Sequence, residues 1–578
     1  MNKLLKNNIL PVFLIALIAG LIFIPFIGNC PLFDWDEVNF AECAREMIVS
    51  GNYSLVQLNF RPFWEKPPMF IWFQVLSMHV FGINEFAARF PNALCSIATL
   101  VTLYLIGQHV HSKKFGLLWA GIYVTSLLPH FYFKTGIIDP WFNLFILLAV
   151  FNCFRFLSNP QGKRELLSAL LAGLFLGMAV LTKGPAALLI LGLTLLAYLV
   201  WNKQLKLLFT TPFILFVGST LLVSGSWFLI EWLKGNGMII RQFIDYQWRL
   251  AETTDAGHGG SFYYHFVVLL IGCFPASLIF ILSYFNYREI TPYNRNFRRL
   301  LLCLFWVVLL IFSVVKTKIV HYSSVAYFPL SFVAALGLVE NFKGLAFPRP
   351  LKIVYWLVAG LLGLAALLLG LFKFMKDPLL KSGLIKDEFA AQNMAADVHW
   401  SGYEWLLGVL FLASAVLIYR ALLKNEIKLI YIGLALNLVF IILTVNVIIP
   451  KIEMYTQRAT IEFYKQCAKH PCYVETHGFK SYAYLFYSQR QPSDYQNPEQ
   501  QKFIEHKLDE MVRDGSSRVT SYAVSNQLWM EYGIVDRPAY LVTKSQLQSE
   551  LLRMPGMTKL YELNGFTFFV RMPSDTAK

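Results

Sequence analysis

The chain has 578 residues, 56% of them hydrophobic and only 15% charged, with a formal net charge of +15. Average soluble chains carry about 25% charged residues, so this composition excludes a soluble globular enzyme and identifies an integral membrane protein. The basic excess lies in short runs between apolar segments, as in cytoplasmic loops, and not in patches, which argues against a nucleic-acid partner.

A spanning helix needs about 20 mainly apolar residues. On that template about thirteen spans are predicted, near 8–28, 86–108, 115–133, 141–157, 166–182, 185–201, 208–230, 263–284, 300–315, 323–339, 352–372, 404–421 and 428–448. Asn29, Cys30 and Pro31 offer no small-residue cleavage site after the first, which therefore reads as an anchor. One alternating set of loops is basic: Lys3 and Lys6; Lys113 and Lys114; Arg155, Lys163 and Arg164; Lys203 and Lys206; Arg288, Arg295, Arg298 and Arg299; Lys343, Arg349 and Lys352; Arg420, Lys424 and Lys428. By the positive-inside rule these are cytoplasmic. The tail, the loop 231–262 and the island 29–85 then lie on the opposite face.

That island carries Asp34, Asp36, Glu37, Glu42, Glu46 and Glu65 beside Arg45, Arg61 and Lys66, next to membrane-grade sequence. Asp34 and Asp36 are good helix N-caps. Val38, Ala41, Ala44 and Ile48 follow at helical spacing, which predicts a short amphipathic helix on the membrane surface. Glu42 and Glu46 read as structural, whereas Asp36 and Glu37 suit either the helix dipole or chemistry. Further along, Asp139 precedes Pro140 at a helix start, Lys183 ends a span where it could simply snorkel, and paired prolines after Lys66 stiffen Glu65 and Lys66. Arg249 lies in the loop 231–262, and Tyr322 ends the segment 316–322.

From about residue 450 the composition turns polar. Short β-rich runs at 472–476, 482–487, 518–524, 539–543 and 565–570, with a helical stretch at 498–512, predict a small soluble α/β domain. The expected division is a transmembrane catalytic domain, 1–449, including the loops 29–85 and 231–262, and an exported α/β domain, 450–578. Cys95, Cys153, Cys273 and Cys303 fall in or beside spans as small apolar residues. Cys30 with Cys43, and Cys467 with Cys472, lie on the exported side, where pairing is open to them.

Carboxylates and cations from distant loops on one membrane face suit transfer of a sugar from a phosphate-linked isoprenoid. The leaving phosphate gains charge as the glycosidic bond breaks, so donors placed there favour the transition state, each by about 3 kcal/mol. A carboxylate opposite can accept the acceptor's proton. Lys66, Arg249, Lys183 and Tyr322 suit the phosphate; Asp36 and Asp139 suit the acceptor.

The run 36–51, with 63–68 (PheTrpGluLysProPro), 137–140 (IleIleAspPro) and 181–185 (LeuThrLysGlyPro), resembles the bacterial lipid A aminoarabinose transferases. These are polyprenyl-phosphate-sugar glycosyltransferases of GT-C fold, related to protein O-mannosyltransferases. The resemblance covers the membrane portion and implies an undecaprenyl-phosphate sugar donor and lipid A or another glycolipid or protein acceptor. It also implies a bacterial inner-membrane location with a periplasmic active site and tail, and an inverting single displacement. Carried over by motif, Asp36 and Asp139 match the essential acids, with Glu37 beside Asp36. Lys66, Arg249 and Tyr322 match phosphate-binding positions. Glu65 matches a position implicated in binding a divalent metal, the one cofactor the resemblance leaves open. Asn39 stands where those enzymes usually carry Arg, and Tyr246 where they usually carry His.

Within the enzyme class the alternatives are a protein O-mannosyltransferase and a surface-glycan transferase. Outside it stands a lipid-linked sugar flippase or transporter, which would show internal repeats and polar residues near the midplane.

Overall fold

Hydrocarbon offers the backbone no water, and a helix satisfies its N–H and C=O groups within the segment. Each span expected from the sequence accordingly contains helical backbone in the computed structural model, which describes residues 9–158, 163–252, 259–285, 291–345, 347–495, 497–513 and 518–573. Lys3, Lys6 and Arg288 of the basic loops, and 253–258 of the loop 231–262, lie outside the described residues.

Among the described residues nine helices are long and apolar enough to cross a membrane, and a tenth span results if the bent pair Tyr264–Gly272 and Ala276–Phe285, 108° apart, counts as one. The expected thirteen therefore include shorter pieces. Ala186–Trp201, and the described part of the first helix, Ile9–Phe23, fall below full spanning length. The stretch near 115–133 is broken into Lys113–Val124 and Leu127–Tyr132, where the Thr125 and Ser126 hydroxyls turn back to the Ile122 carbonyl. Such local hydroxyl bonds compete with helix continuation.

The polar island departs further from expectation. Its helix, Asp36–Ser50, is buried on all sides from Glu37 to Met47, and does not lie as an amphipathic surface helix. Its N-cap is Trp35, at φ 72°, with no side-chain cap bond, so neither Asp34 nor Asp36 caps it. Its buried charges are matched locally. Arg45 grips Glu42 through Nε and Nη2, both at 2.7 Å, and donates to the Arg490 carbonyl at 2.7 Å. Glu46 accepts the backbone N–H groups of Asn59 and Phe60 at 2.6 and 2.7 Å, fixing the small hairpin of β1 (Gln57–Leu58) and β2 (Arg61–Pro62).

Past Thr456 the chain forms helix Arg458–Cys467 and a four-stranded sheet. Its strands are β3 (Tyr473–His477), β4 (Ala539–Lys544), β5 (Met557–Leu563) and β6 (Phe566–Arg571), in the order β3-β4-β6-β5. β3 runs parallel to β4 in the register Tyr473↔Ala539, while β6 is antiparallel to both β4 and β5. The expected strands at 472–476, 539–543 and 565–570 form, and so does the helix, as Pro498–Arg513. Two expected strands are helical instead. Residues 482–487 give the buried turn Ala483–Tyr487, since a continuous apolar run fits a buried helix as well as a strand. Residues 518–524 open helix Arg518–Tyr532. β5 escaped notice because it is exposed along nearly its whole length, with no alternation to read. All eight cysteines are free thiols, so neither suggested pair is bonded.

One hydrophobic core joins the tail to the island. Val38, Ala41 and Met47 of helix Asp36–Ser50 belong to the same cluster as Ile461, Phe463, Tyr484 and Phe568.

Candidate active site

Three apolar helices meet at their ends. Asp139 opens Asp139–Ser158, Lys183 closes Lys163–Lys183, and His321 lies in the 3-10 turn Val320–Ala326 that leads into Tyr327–Glu340. Asp139 is 1% exposed, and its Oδ1 accepts from Lys183 Nζ at 2.5 Å. Its other oxygen, Oδ2, is buried without a hydrogen-bond partner and lies 3.9 Å from His321 Nε2. The same Nε2 is 3.8 Å from Asp36 Oδ2, on a side chain that is 46% exposed. One imidazole thus faces two carboxylates from segments about a hundred positions apart in the chain, one sealed and one open.

The turn carrying His321 is fixed from both ends. Lys318 donates to the carbonyls of Phe312, Ser313 and Val315 at 2.8, 2.7 and 2.6 Å, capping the free carbonyls that end helix Pro292–Val314. Ser324 donates to Asn143 Oδ1 at 3.2 Å, tying the turn to the helix that Asp139 opens. Asn92 in turn donates to the Thr135 and Ile137 carbonyls at 2.6 and 2.7 Å, holding the approach to Asp139.

Cations and rings border this group. Lys183 Nζ lies 5.0 Å from the Tyr322 ring centroid, and Tyr322 packs on Phe312 at 5.1 Å. Lys66 Nζ and the Arg249 guanidinium both sit 5.3 Å from the Tyr246 ring centroid, so one ring makes cation–π contact with two positive groups. Lys66 acts electrostatically on Asp139, His321 and Tyr322, so the two groups form one field. Gly184 makes the approach of helix Gly237–Glu252 possible. It sits at φ +85°, and a Cβ there would meet Phe243 Cζ at 2.6 Å. Only glycine accepts both conditions at low cost.

Of the residues singled out in the sequence, Asp36, Asp139, Lys183 and Tyr322 gather around His321, and Lys66 and Arg249 gather on Tyr246. Lys183 pairs with Asp139, which puts it beside an acid and not solely at a phosphate. Glu37 is held elsewhere. Its carboxylate accepts Arg89 Nε and Nη2 at 2.7 Å each, the Phe33 N–H at 2.8 Å and the Gly136 N–H at 2.5 Å. Arg89 also donates to the Ile27, Cys30 and Pro31 carbonyls. That is the bonding of a scaffold residue. Glu65 lies in electrostatic reach of Cys43 and Tyr482. Among the described residues no three His, Cys, Asp or Glu side chains, Glu65 included, are grouped to hold a metal ion.

His321, Arg89 and the platform role of Tyr246 were not foreseen. The histidine adjoins Tyr322 in the sequence, but its meaning comes from Asp36 and Asp139, which only folding brings near. Trp35, at positive φ and 47% exposed immediately before Asp36, is a backbone outlier of the kind that gathers at functional sites.

Residues 65–230 match the family model described as dolichyl-phosphate-mannose-protein mannosyltransferase. An undecaprenyl phosphate-alpha-4-amino-4-deoxy-L-arabinose arabinosyl transferase of Pectobacterium atrosepticum is 29% identical over 367 residues, 62% of this chain and 64% of that protein. The enzyme of the same name from Photorhabdus laumondii is 26% identical over 336 residues, 57% of this chain and 60% of that protein. The chain thus spans less than two thirds of the length of these curated relatives. The crystal structure of ArnT from Cupriavidus metallidurans bound to undecaprenyl phosphate superposes with a TM-score of 0.73, at 16% identity, over 97% of this chain and 98% of that one. The chain resembles the aminoarabinose transferases in sequence and has the GT-C fold.

Proposed function

We propose that this chain is an inverting glycosyltransferase of the bacterial inner membrane. It moves a sugar, in the first instance 4-amino-4-deoxy-L-arabinose, from undecaprenyl phosphate to lipid A or a related acceptor at the periplasmic face. The observation that carries this reading is the convergence of Asp36, Asp139, Lys183 and Tyr322, with Lys66 and Arg249 beside them, at one end of the apolar helices. A prenyl chain in the bilayer would deliver its anomeric carbon to that level. The names of the similar proteins supply the donor class, and the basic loops supply the orientation.

In the reaction Lys66 and Arg249, braced on Tyr246, receive the donor phosphate and take up the charge it gains as the bond from C1 to its oxygen breaks. Tyr322 closes the phosphate side. Asp36 faces the acceptor, and Asp139, held by Lys183, sets the opposite wall. Glu37, bonded into the Arg89 network, serves the scaffold and touches neither substrate. The polar groups lie at helix ends and not at the midplane, which favours an enzyme over a transporter.

The test is transfer by purified protein in proteoliposomes given undecaprenyl phosphate-aminoarabinose and lipid A. Sugar on lipid A, lost in Asp36→Asn, supports the reading. Movement of the donor between leaflets with no transfer to any acceptor overturns it in favour of a flippase.

A further inference from the structure

Several buried cations of this protein are matched by acceptors. Arg45 pairs with Glu42, Arg89 with Glu37, Lys183 with Asp139 and Lys451 with Glu404, while Lys318 donates to three carbonyls. Lys134 breaks the pattern. It is 7% exposed, and its Nζ donates to the Pro25 carbonyl at 2.8 Å. An ammonium carries three donors, so two of them meet no acceptor among the described residues. Burial pushes its pKa down to about 8, and no carboxylate among the described residues stands near enough to raise it. It acts electrostatically on His130, which brings no negative charge. A snorkelling lysine keeps its head in water, whereas this head is covered, and a buried charge without a counter-charge is costly.

Lys134 forms part of the wall of a cavity of about 40 Å³, room for about three waters. Asn29, Thr135 and Asn446 line its polar side, and Phe26, Phe131 and Ile449 its apolar side. The backbone around it is unusual twice over. Phe26 stands at φ 65°, a region that bulky residues rarely enter, and Thr444–Ile448 forms a π-helical turn of the kind frequent at functional sites. The Phe26 ring is 64% exposed just beyond the apolar helix Ile9–Phe23, so the cavity has an apolar rim at the level where that helix ends.

We propose that this cavity is a lipid site: it receives the phosphate of a phospholipid, with Lys134 as counter-charge and the lipid chains running out past Phe26 and Phe131. Basic pockets between membrane helices hold lipid headgroups in this way. Water would satisfy the two N–H groups but bring no charge, and a soluble anion would have no use for the apolar rim. The cavity also backs onto the scaffold, because Arg89 and Phe33 line it and both bond Glu37. A lipid seated there would brace that wall from outside. The contact involves neither sugar donor nor acceptor and holds whatever reaction Asp36 serves.

The test titrates the full-length, delipidated protein in nonionic detergent with dioctanoyl phosphatidylglycerol and with dioctanoyl glycerol, which has the same chains and no phosphate, and reads binding by native mass spectrometry. The wild type is expected to bind the phospholipid at least about tenfold more tightly, as a hydrogen bond to a charged group implies. Lys134→Met keeps the apolar stem and removes the charge, and should erase that preference; Lys66→Met, at the catalytic group, should keep it. Circular dichroism and elution volume verify that both variants are folded. No preference in the wild type, its persistence in Lys134→Met or its loss in Lys66→Met overturns the proposal. So does displacement of the lipid by an equal concentration of inorganic phosphate, which would mark a site for a free anion. Should Lys134→Met not fold, a photoactivatable phosphatidylglycerol mapped on the wild type decides: crosslinks within 131–135 or 445–450 support the site, and crosslinks found only elsewhere overturn it.

Discussion

Replacing Glu37 by Gln should cost stability and spare catalysis, the reverse of what its place beside Asp36 suggests. Its carboxylate and the Arg89 guanidinium are each about 4% exposed and bonded at 2.7 Å. Glutamine keeps the shape but strands the arginine's charge in a buried site, and breaking a buried pair from one side costs about 3–5 kcal/mol. Arg89→Met should cost more, because it strands Glu37 and also strips a donor from the Ile27, Cys30 and Pro31 carbonyls. Each orphaned buried acceptor adds about 1–3 kcal/mol. The double variant Glu37→Met with Arg89→Met removes both charges, so it should recover part of the loss. It should not recover all of it, since those carbonyls and the Phe33 and Gly136 N–H groups stay unpaired. Thermal unfolding of detergent-purified protein measures the order, and turnover per folded molecule in proteoliposomes measures the chemistry. A Glu37→Gln protein as stable as wild type but orders of magnitude slower would return Glu37 to the reaction and refute the scaffold assignment.

Lys183→Met removes the hydrogen-bonded counter-charge of Asp139, and transfer should drop at least tenfold, read as initial rate at saturating donor; an unchanged rate would separate Asp139 from the chemistry. Gly184→Ala forces a side chain into φ +85° and against Phe243. A backbone cost on the order of 1–3 kcal/mol would be met by shifting helix Gly237–Glu252, so donor KM should rise several-fold as Lys66 and Arg249 lose register on Tyr246. Chelation should leave activity intact, because among the described residues no three His, Cys, Asp or Glu side chains are grouped to hold a metal ion; loss of activity restored by added divalent ion would contradict this. In the tail, hydrogen bonding to Glu531 at 2.6 Å raises the His477 pKa above 6.5, with Glu550 helping at 3.1 Å. The folded state binds that proton more tightly, so the stabilisation is complete below the unfolded pKa and fades as pH rises through the higher folded one. Amide exchange in β3 should therefore quicken, beyond its intrinsic pH dependence, on going from pH 6 to 8 in wild type but not in His477→Gln.

The spans were legible because apolar length is read directly from composition, and hydrocarbon permits few alternatives to a helix. Their shortfalls were not: Thr125 and Ser126 look harmless until their hydroxyls compete for the Ile122 carbonyl. The charged residues of the site could be listed from type and position, yet their pairing could not. Lys183 suited a phosphate by type and position, and its pairing with Asp139 shows only in the fold. Glu37 and Asp36 are adjacent in sequence, but a helix turns successive side chains about 100° apart; one meets Arg89 and the other His321. In the tail, β-branched and aromatic runs predicted strands at 482–487, where burial chose helix, and at 518–524, which open a helix instead, and the solvated edge strand β5 carried no periodic signal.

The deepest miss was the island helix, and its cause bears on what the tail is for. An amphipathic helix on a membrane surface would leave Asp36 free to drift with the headgroups. Instead residues 32–45 are gripped from beyond residue 456. The Leu32 N–H donates to Tyr487 Oη at 2.7 Å, Gln457 bonds both the Leu32 carbonyl and the Asp34 N–H, the Tyr482 N–H donates to Asp34 Oδ1 at 2.9 Å, and Arg45 reaches the Arg490 carbonyl. The shared apolar core adds Val38 and Met47 against Ile461 and Phe568. Every one of these contacts flanks Asp36 without touching its side chain, which leaves the carboxylate open while the backbone beneath it is fixed. Rigid support beneath an exposed reacting group lowers the cost of orienting it. A tail with no catalytic motif of its own can therefore set the turnover of a site built from other segments.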